Sequence, residues 1–267
     1  MHGIGTRGQL RQTFDRVAQL YDQMRPSYPA AVFDDVLALS GVNADSRLLE
    51  IGCGTGHATQ EFAARGLAID CVELGENMAG VARTRLARFP RVRIEIADFD
   101  RWAADARYDL AYSATAYHWL DPATREQNIA TWLRPSGWLA FWRNRHIRNG
   151  SSDEFVDAMQ EIYAAEAPQL VKERGGLPGP GEVLEREREG LSTQLFEEPV
   201  YRVYFWSLRS SASEYARMLA THSDHQLLEE RARQRLLDGI EELIGKRFGG
   251  AVVKDYATVL QMARRKT

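Results

Sequence analysis

A chain of 267 residues, 44% apolar and 27% charged, has the composition of an ordinary folded protein, which excludes intrinsic disorder and fibrous repeats. Its 34 Lys and Arg residues against 37 Asp and Glu residues give a formal charge of −3, so the overall charge offers no reason to bind nucleic acid or an anionic membrane. Cys53 and Cys71 are too few for a disulfide framework, and the first residues lack the apolar run of a signal peptide. We therefore expect a soluble, cytoplasmic protein, and its oligomeric state stays open.

The first half of the chain alternates helical patterns with short apolar runs. Apolar residues at three- and four-residue steps indicate helices, whereas near-continuous apolar runs of about six residues are typical of strands buried on both faces of a parallel sheet. These patterns predict helices at 8–24, 30–40, 59–65, 78–88 and 122–133, and strands at 47–51, 68–73, 92–97, 108–113 and 137–142.

The second half lacks this regular alternation. Residues 152–190 are mostly helical in composition with a glycine- and proline-rich break at 175–181, and a long helical stretch at 213–245 separates two predicted strands at 200–206 and 251–262. We therefore predict a doubly wound α/β sheet with helical insertions. The expected domains are 1–145 with N-terminal helices and the ligand-binding core, 146–250 with cap insertions and a sixth strand near 199–206, and 251–267 with a last strand returning to the sheet.

A glycine-rich segment, LEIGCGTG at residues 49–56, follows the first predicted strand and precedes a helix. Gly52, Gly54 and Gly56 would form the tight turn at the carboxyl end of that strand, where glycines allow positive φ and a close approach of ligand to backbone. The same three glycines could also serve a turn that binds no ligand. The residues at the ends of the neighbouring strands are therefore needed to tell whether this loop is a binding site.

Two ligands compete for this loop. A dinucleotide fingerprint requires a glycine at position 57, where the chain has His57, and Glu50 would place a negative charge near the phosphates. S-adenosylmethionine carries an ammonium group and no phosphate. Glu73 at the end of the second strand suits its two ribose hydroxyls, and Asp98 with Phe99 at the end of the third suits its adenine. The three strand ends together predict S-adenosylmethionine as the cofactor.

The chain resembles the class I S-adenosylmethionine-dependent methyltransferases, and more narrowly the small-molecule branch that includes the trans-aconitate methyltransferases. The general resemblance is strong over residues 8–145. From residue 146 onward it extends only to the order of the elements, with helical insertions around the sixth strand. It implies a seven-stranded Rossmann-like methyltransferase sheet whose last strand pair is antiparallel, with an inserted helical cap that helps to enclose the substrate. The motifs that carry it are Phe14 with YDQMRPSYP at 21–29, LEIGCGTG at 49–56, YHWLD at 117–121 and LRPSG at 133–137.

The resemblance also implies roles for individual residues. The glycine-loop backbone would cradle the methionine part, Glu73 would hold the ribose, Met78 would pack on the adenine and Arg25 would meet the cofactor carboxylate. For Met78 plain core packing is the alternative, and Tyr21 could equally form the buried face of its helix. The predicted cofactor-binding residues are Tyr21, Arg25, Tyr28, Glu50, Gly52, Cys53, Gly54, Gly56, Glu73, Leu74, Met78, Asp98, Phe99 and Ser113.

Methyl transfer from a sulfonium needs mainly orientation of the acceptor, and a proton must leave only if that acceptor is a hydroxyl or amine. Tyr117 and His118 follow the fourth strand at its ligand end and are the predicted catalytic residues, with His118 either a general base or a packing residue. Trp119 and Arg143 are predicted to bind substrate. Arg143 would clamp an anionic acceptor, unless it pairs with acidic residues of the cap.

We predict a metal-independent methyltransferase acting on a small molecule, O-directed rather than N- or C-directed, with a carboxylate or hydroxyl as the acceptor group. The sequence leaves two other functions open. One is an oxidoreductase with a nucleotide cofactor, and the other is a non-catalytic regulatory protein that binds S-adenosylmethionine. The acceptor itself would be selected by the cap, where no motif identifies it.

Overall fold

The computed structural model describes residues 13–104, 106–150, 152–171 and 176–267. Seven strands form one sheet, and their bounds are β1 Arg47–Ile51, β2 Ala68–Glu73, β3 Val92–Ile96, β4 Tyr108–Ala114, β5 Leu133–His146, β6 Val200–Ser211 and β7 Ala251–Arg264. Their order in the sheet is β3-β2-β1-β4-β5-β7-β6. The pairings from β3 across to β5 are parallel, which brings the carboxyl ends of these five strands to one edge.

Helices connect the strands. The described part of the chain forms α1 Ala18–Met24, α2 Ala30–Ser40, α3 His57–Ala64, α4 Glu76–Leu86, α5 Arg125–Trp132, α6 Asp153–Glu166, α7 Val183–Glu187, α8 Ala212–Leu219, α9 Ser223–Gln226 and α10 Glu230–Arg247, with short 3-10 turns at Phe99–Arg101, Tyr117–Trp119 and Pro168–Leu170. Residues 8–12 of the first predicted helix lie outside the described residues. Within the described ranges, no helix combines the length and apolarity that crossing a bilayer requires.

The chain divides into two compact units. The core unit comprises the described residues of 27–144, 187–204 and 258–267, and the helical unit comprises the described residues of 1–26, 145–186 and 205–257. The sequence-based division into 1–145, 146–250 and 251–267 stays a prediction beside these two units.

The core unit buries both faces of its sheet. Leu48 faces a cluster that includes Phe33 of α2 and Phe62 of α3, whereas Leu49 faces a second cluster that includes Ile129 of α5. Alternating residues of one short strand thus enter different cores, which is why β1 is apolar at nearly every position. Helices on both faces make the sheet doubly wound, as predicted.

The last strand reverses direction. The backbone N–H of Arg265 donates to the carbonyl of Gly137 at 2.7 Å, and that of Ile147 donates to the carbonyl of Asp255 at 3.0 Å. Because residue numbers rise along β5 while those of their β7 partners fall, the two strands are antiparallel. A long antiparallel β7 lets the chain re-enter the core unit after the helical insertions.

The helical unit has its own core. Phe155 of α6, Tyr215 of α8 and Leu236, Ile240 and Ile244 of α10 are buried together in one cluster. A capping box begins α8, where Ser211 and Glu214 satisfy each other's backbone N–H groups. The predicted helical stretch 213–245 is therefore three separate helices, α8, α9 and α10.

Candidate functional site

The glycine loop begins with a residue whose side chain must be absent. Gly52 has φ of +71°, and its N–H donates to the carbonyl of Val72 in β2 at 2.8 Å. A Cβ at this position would lie 2.5 Å from the Cβ of Ala116, which follows β4. The loop after β1 and the loop after β4 therefore touch, and only glycine permits both the φ angle and the contact.

Glu73 lies at the same edge, at the end of β2, and is 9% exposed. Its Oε2 accepts the N–H of Gly54 at 2.8 Å, and its Oε1 accepts the N–H of Gly75 at 2.8 Å. Each carboxylate oxygen can accept a second hydrogen bond, so the orientation suits the two hydroxyls of a ribose. Leu74 beside it is 38% exposed. The buried Met78 packs under the loop, its Cε 3.8 Å from where a Cβ on Gly54 would stand.

Glu50 points into the core unit. Its Oε2 accepts hydrogen bonds from Thr59 at 2.6 Å and from Tyr112 at 2.7 Å, while Oε1 is buried without a hydrogen-bond partner. Burial, reinforced by the charge of Glu73, raises the pKa of Glu50 to about 7 despite these bonds. The prediction that Glu50 meets the cofactor therefore depends on Oε1 alone.

Cys53, Phe99 and Ser113 use their side chains to fix the strand ends. Cys53 is buried, and contact with Cys71 together with burial raises the pKa of its thiol, so its backbone is the part that a ligand could approach. Ser113 donates to the carbonyl of Ile51 at 2.8 Å, and Phe99 is buried against Trp102. Asp98 accepts the N–H of Asp100 at 3.3 Å and so begins the 3-10 turn there.

Tyr21, Arg25 and Tyr28, which are predicted to bind the cofactor, fall into different units. Tyr28 belongs to the core unit, and its hydroxyl lies 2.9 Å from Oγ1 of Thr115 after β4. Tyr21 and Arg25 belong to the helical unit, where the Arg25 guanidinium lies over the Tyr21 ring at 4.9 Å. Tyr28 thus stands beside the loop after β4.

A cleft in the core unit opens beside the glycine loop. Thr115 at its edge has φ of +58°, a rare conformation for a β-branched residue and one that tends to occur at functional sites. Ala116, which contacts Gly52, connects the cleft to the loop. The cleft is lined by Thr115, Tyr117, His118, Phe141, Trp142, Arg143, Glu187, Glu189, Val259 and Gln261.

Two ion pairs balance the charge around the cleft. Nε of Arg143 lies 2.5 Å from Oε2 of Glu187, a carboxylate only 1% exposed, and Arg125 pairs with Glu189 at 2.6 Å. Gln261 of β7 exchanges hydrogen bonds with the backbone of Glu189 at 2.7 and 3.1 Å, which fixes this segment on the sheet. Arg143 is therefore paired with an acidic residue, which is one of the two alternatives that the sequence left open. That its remaining N–H groups bind an anionic acceptor stays a prediction.

Tyr117 forms an aromatic wall of the cleft. Its ring stacks on Phe141 with centroids 3.9 Å apart, and Arg125 covers the Tyr117 ring at 4.1 Å. The Tyr117 hydroxyl is buried with no hydrogen-bond partner, and burial raises its pKa well above the usual value. It therefore stays a neutral hydroxyl that can donate a hydrogen bond. His118 lines the cleft, and Trp119 lies against His118 with ring centroids 4.8 Å apart.

The profile of a methyltransferase domain family matches residues 48–137, which include β1 to β4 and the glycine loop. The chain is 30% identical over 185 residues to an uncharacterized methyltransferase of Mycobacterium tuberculosis, covering 68% of this chain and 71% of that protein. The chain belongs to the class I S-adenosylmethionine-dependent methyltransferases. It is also 28% identical over 178 residues to the malonyl-[acyl-carrier protein] O-methyltransferase of Halalkalibacterium halodurans, covering 61% of this chain and 63% of that protein.

Solved structures agree on the fold of this methyltransferase. A protein of Anaeromyxobacter dehalogenans assigned as a type II methyltransferase superposes with a TM-score of 0.62 at 20% identity, covering 90% of this chain and 97% of that one. Methyltransferases of this fold have been solved with S-adenosylmethionine or S-adenosylhomocysteine bound. The predicted enzyme class, cofactor and seven-stranded sheet are confirmed. The narrower resemblance to the trans-aconitate branch stays a prediction.

The methyltransferase loop fits this cofactor. The backbone of the Gly52–Gly56 loop is predicted to cradle the methionine part, and the Glu73 carboxylate, oriented by the N–H of Gly54, would hold the ribose. Tyr117, His118 and Arg143, which the sequence predicts as site residues beyond β4 and β5, line one cleft in the structure, and their roles stay predictions. Sequence reasoning missed the cleft residues that no local motif marks. Thr115 and Phe141 could have been found from their positions at strand ends, but Glu187, Glu189, Val259 and Gln261 had no such signal.

Proposed function

We propose that this methyltransferase transfers a methyl group to an oxygen of a small molecule, a carboxylate or a hydroxyl, and that it needs no metal. The observation that carries the proposal is the cleft beside the glycine loop. Aromatic rings of Tyr117, Phe141 and Trp142 wall it, and a few polar groups, among them His118 and Arg143, enter it. Apolar walls with few oriented polar groups are typical of sites for small organic ligands.

Methyl transfer depends more on the orientation of the acceptor than on activation of the methyl group. S-adenosylmethionine supplies a methyl group on a positively charged sulfur, which is already activated for displacement. The cleft residues would hold the acceptor oxygen in line with that methyl group and exclude water. Tyr117, as a neutral phenol, would donate a hydrogen bond to the acceptor, whereas a hydroxyl acceptor would also need His118 to remove its proton.

The relative named as an O-methyltransferase supports oxygen as the acceptor atom. Its likeness covers 63% of that protein at 28% identity, so it supports the type of reaction without identifying the substrate. The cleft gives a physical reason to favour a small acceptor with limited net charge. Each of its arginine–glutamate pairs is internally neutral, so a highly charged acceptor would have to disrupt an existing ion pair.

A labelling experiment tests this function. The full chain is incubated with S-adenosylmethionine carrying a ¹³C methyl group and a panel of carboxylic acids, alcohols, phenols and amines, with and without a metal chelator. We expect acceptor-dependent release of S-adenosylhomocysteine that the chelator does not change, and a ¹³C signal of an ester or ether. A label on nitrogen or carbon, or loss of turnover with the chelator, would contradict the proposal.

Variants separate the two kinds of oxygen acceptor. With a hydroxyl acceptor, His118→Asn should lower kcat by about a hundredfold and remove the fall in rate at acid pH, because the general base is lost. With a carboxylate acceptor the same variant should change kcat little. Glu95→Gln on β3, an exposed position, serves as the control and should leave both rates unchanged.

A further inference from the structure

Thr115 holds a backbone conformation that its residue type disfavours. It follows β4 with φ of +58°, although a branched Cβ makes positive φ costly and such positions usually carry glycine or asparagine. Its N–H nevertheless continues the pairing of the sheet and donates to the carbonyl of Trp142 in β5 at 2.7 Å. A conformation of this kind persists only where surrounding contacts impose it.

The side chain of Tyr28 supplies one of these contacts. Its hydroxyl lies 2.9 Å from Oγ1 of Thr115, so the two hydroxyls form a hydrogen bond in which either can donate. The Tyr28 ring is itself fixed, because it packs edge-on against Trp142 at 5.9 Å and against Phe33 of α2 at 6.3 Å between ring centroids. The hydroxyl bond therefore joins Thr115 to the aromatic core on one face of the sheet.

The backbone beside Tyr28 is anchored as well. Nδ2 of Asn144 in β5 donates to the carbonyl of Ser27 at 3.2 Å, and the hydroxyl of Thr258 in β7 donates to Oδ1 of the same amide at 2.7 Å. All of these residues belong to the core unit. Tyr28 is thus attached to two strands of the sheet, and a residue with a hydroxyl at position 115 extends that attachment to the loop after β4.

The cleft and the glycine loop both depend on where Thr115 lies. Thr115 itself lines the cleft. The next residue, Ala116, packs so closely on the glycine loop that a Cβ on Gly52 would lie 2.5 Å from its own Cβ. Because the φ of Thr115 sets the direction in which the chain enters Ala116, a change of that angle moves this contact. One backbone angle therefore affects the cleft and the loop together.

We propose that Thr115 is a positioning residue that couples the cleft to the cofactor loop, and that the Tyr28 hydroxyl holds it in its strained conformation. Thr115 acts through Ala116 and Gly52 and takes no part in a chemical step. This role of Tyr28 differs from the direct contact with the cofactor that the sequence predicts. The part of the inference that concerns the acceptor rests on the proposed function, whereas the part that concerns the cofactor does not.

Three variants test the hydroxyl bond. Tyr28→Phe and Thr115→Val each remove one hydroxyl and keep the shape of the side chain, whereas Thr115→Ser keeps the hydroxyl. Tyr204→Phe is the matched control, since Tyr204 donates to Asp35 at 2.6 Å in the same unit and lies outside the lining of the cleft. Calorimetry should show the Kd for S-adenosylhomocysteine raised about three- to tenfold in Tyr28→Phe and Thr115→Val, the range expected for one lost hydrogen bond. Thr115→Ser should recover most of that loss, and the control should bind like the wild type.

The double variant separates positioning from direct contact with the cofactor. If Tyr28 acts only through Thr115, Tyr28→Phe with Thr115→Val binds S-adenosylhomocysteine no more weakly than either single variant. ¹H–¹⁵N NMR of the full chain without ligand should show the amide signal of Gly52 shifted in both single variants and unchanged in Tyr204→Phe. In turnover with an acceptor found by the labelling experiment, both single variants should also raise the acceptor KM. The binding and NMR measurements need no turnover, so they decide the cofactor part even if the proposed O-methylation fails.

The proposal is overturned if Tyr28→Phe and Thr115→Val bind S-adenosylhomocysteine like the wild type, if their effects add in the double variant, or if Tyr204→Phe weakens binding equally. A raised Kd with an unchanged acceptor KM would overturn the coupling to the cleft. If Thr115→Val does not fold, Tyr28→Phe, which leaves the strained residue in place, decides the test through the Kd and the Gly52 signal.

Discussion

The backbone N–H of Gly54 donates to the Glu73 carboxylate at 2.8 Å, which ties the glycine loop after β1 to the end of β2. A second bond, from the N–H of Gly75, holds the other carboxylate oxygen at the same distance. The carboxylate that would hold the ribose is therefore oriented by two rigid backbone groups before any ligand binds. Such preorganisation reduces the entropy that binding must overcome.

Replacing Glu73 by Gln should weaken cofactor binding. The neutral amide keeps the size of the side chain, but it loses the charge-assisted hydrogen bonds to the ribose, and its NH₂ group faces a backbone N–H. We expect the Kd for S-adenosylhomocysteine to rise roughly ten- to a hundredfold, measured by calorimetry. Glu95→Gln, at an exposed position on β3, should bind like the wild type. An unchanged Kd for Glu73→Gln would remove Glu73 from the cofactor site.

Gly52→Ala should damage the site through its contact with the loop after β4. The new Cβ would lie 2.5 Å from that of Ala116, at φ of +71°. Gly66→Ala is a matched control, because Gly66 has φ of +83° but no atom within 4 Å of the added Cβ. We expect a loss of unfolding free energy of about 1 kcal/mol for Gly66→Ala and about 2–4 kcal/mol for Gly52→Ala. Equal losses would mean that the Ala116 contact is easily relieved.

Glu50 makes stability depend on pH. Its pKa is raised from 4.5 to about 7 in the folded chain, so between these values the unfolded state has lost the proton that the folded state retains. Stability contributed by this group is therefore present below pH 4.5 and falls as pH rises through 7, by about 3 kcal/mol in all. Chemical denaturation at several pH values should show that Glu50→Gln flattens this decline, while Glu95→Gln preserves it. Parallel pH profiles for wild type and Glu50→Gln would refute the assignment.

The Arg143 and Glu187 pair should behave as a structural ion pair. Removing the guanidinium takes an ion pair away from the Glu187 carboxylate, which is 1% exposed, whereas Arg143 itself is 24% exposed. Arg143→Met should therefore destabilise the fold by about 2 kcal/mol, and Arg143→Met with Glu187→Met should recover much of the loss. If the single variant instead leaves stability unchanged and raises the acceptor KM, Arg143 acts as the anion clamp.

Much of the core unit is predictable because its strands are buried on both faces. The bounds of α2, β1 and β2 coincide with their predicted ranges, since apolar runs with polar or glycine ends mark them clearly. The fifth strand is longer than predicted, 133–146 against 137–142. It begins at Leu133, which pairs with Tyr108 of β4 ahead of an irregularity in the register, and it continues through the polar residues 143–146. Polarity alone does not end a strand whose edges are both paired.

The sequence predicts those site residues that belong to a short motif or stand at the end of a strand. Gly52 and Glu73 follow strands at one sheet edge, and that placement needs only the order of elements. Glu50 lies between Leu49 and Ile51, and its side chain enters the opposite core, where Thr59 and Tyr112 donate hydrogen bonds to it, an arrangement that no local motif marks. Its role in cofactor binding stays a prediction. The hydrogen bond between Tyr28 and Thr115 spans 87 residues and leaves no pattern in the sequence.

Titration of the full chain with S-adenosylhomocysteine and, separately, with NAD tests the assignment of the glycine loop most directly. The Glu73 carboxylate and the bare backbone at Gly52 and Gly54 predict saturable, one-to-one binding of S-adenosylhomocysteine and no binding of NAD at the same concentrations. Binding of NAD without binding of S-adenosylhomocysteine would contradict the account of this site.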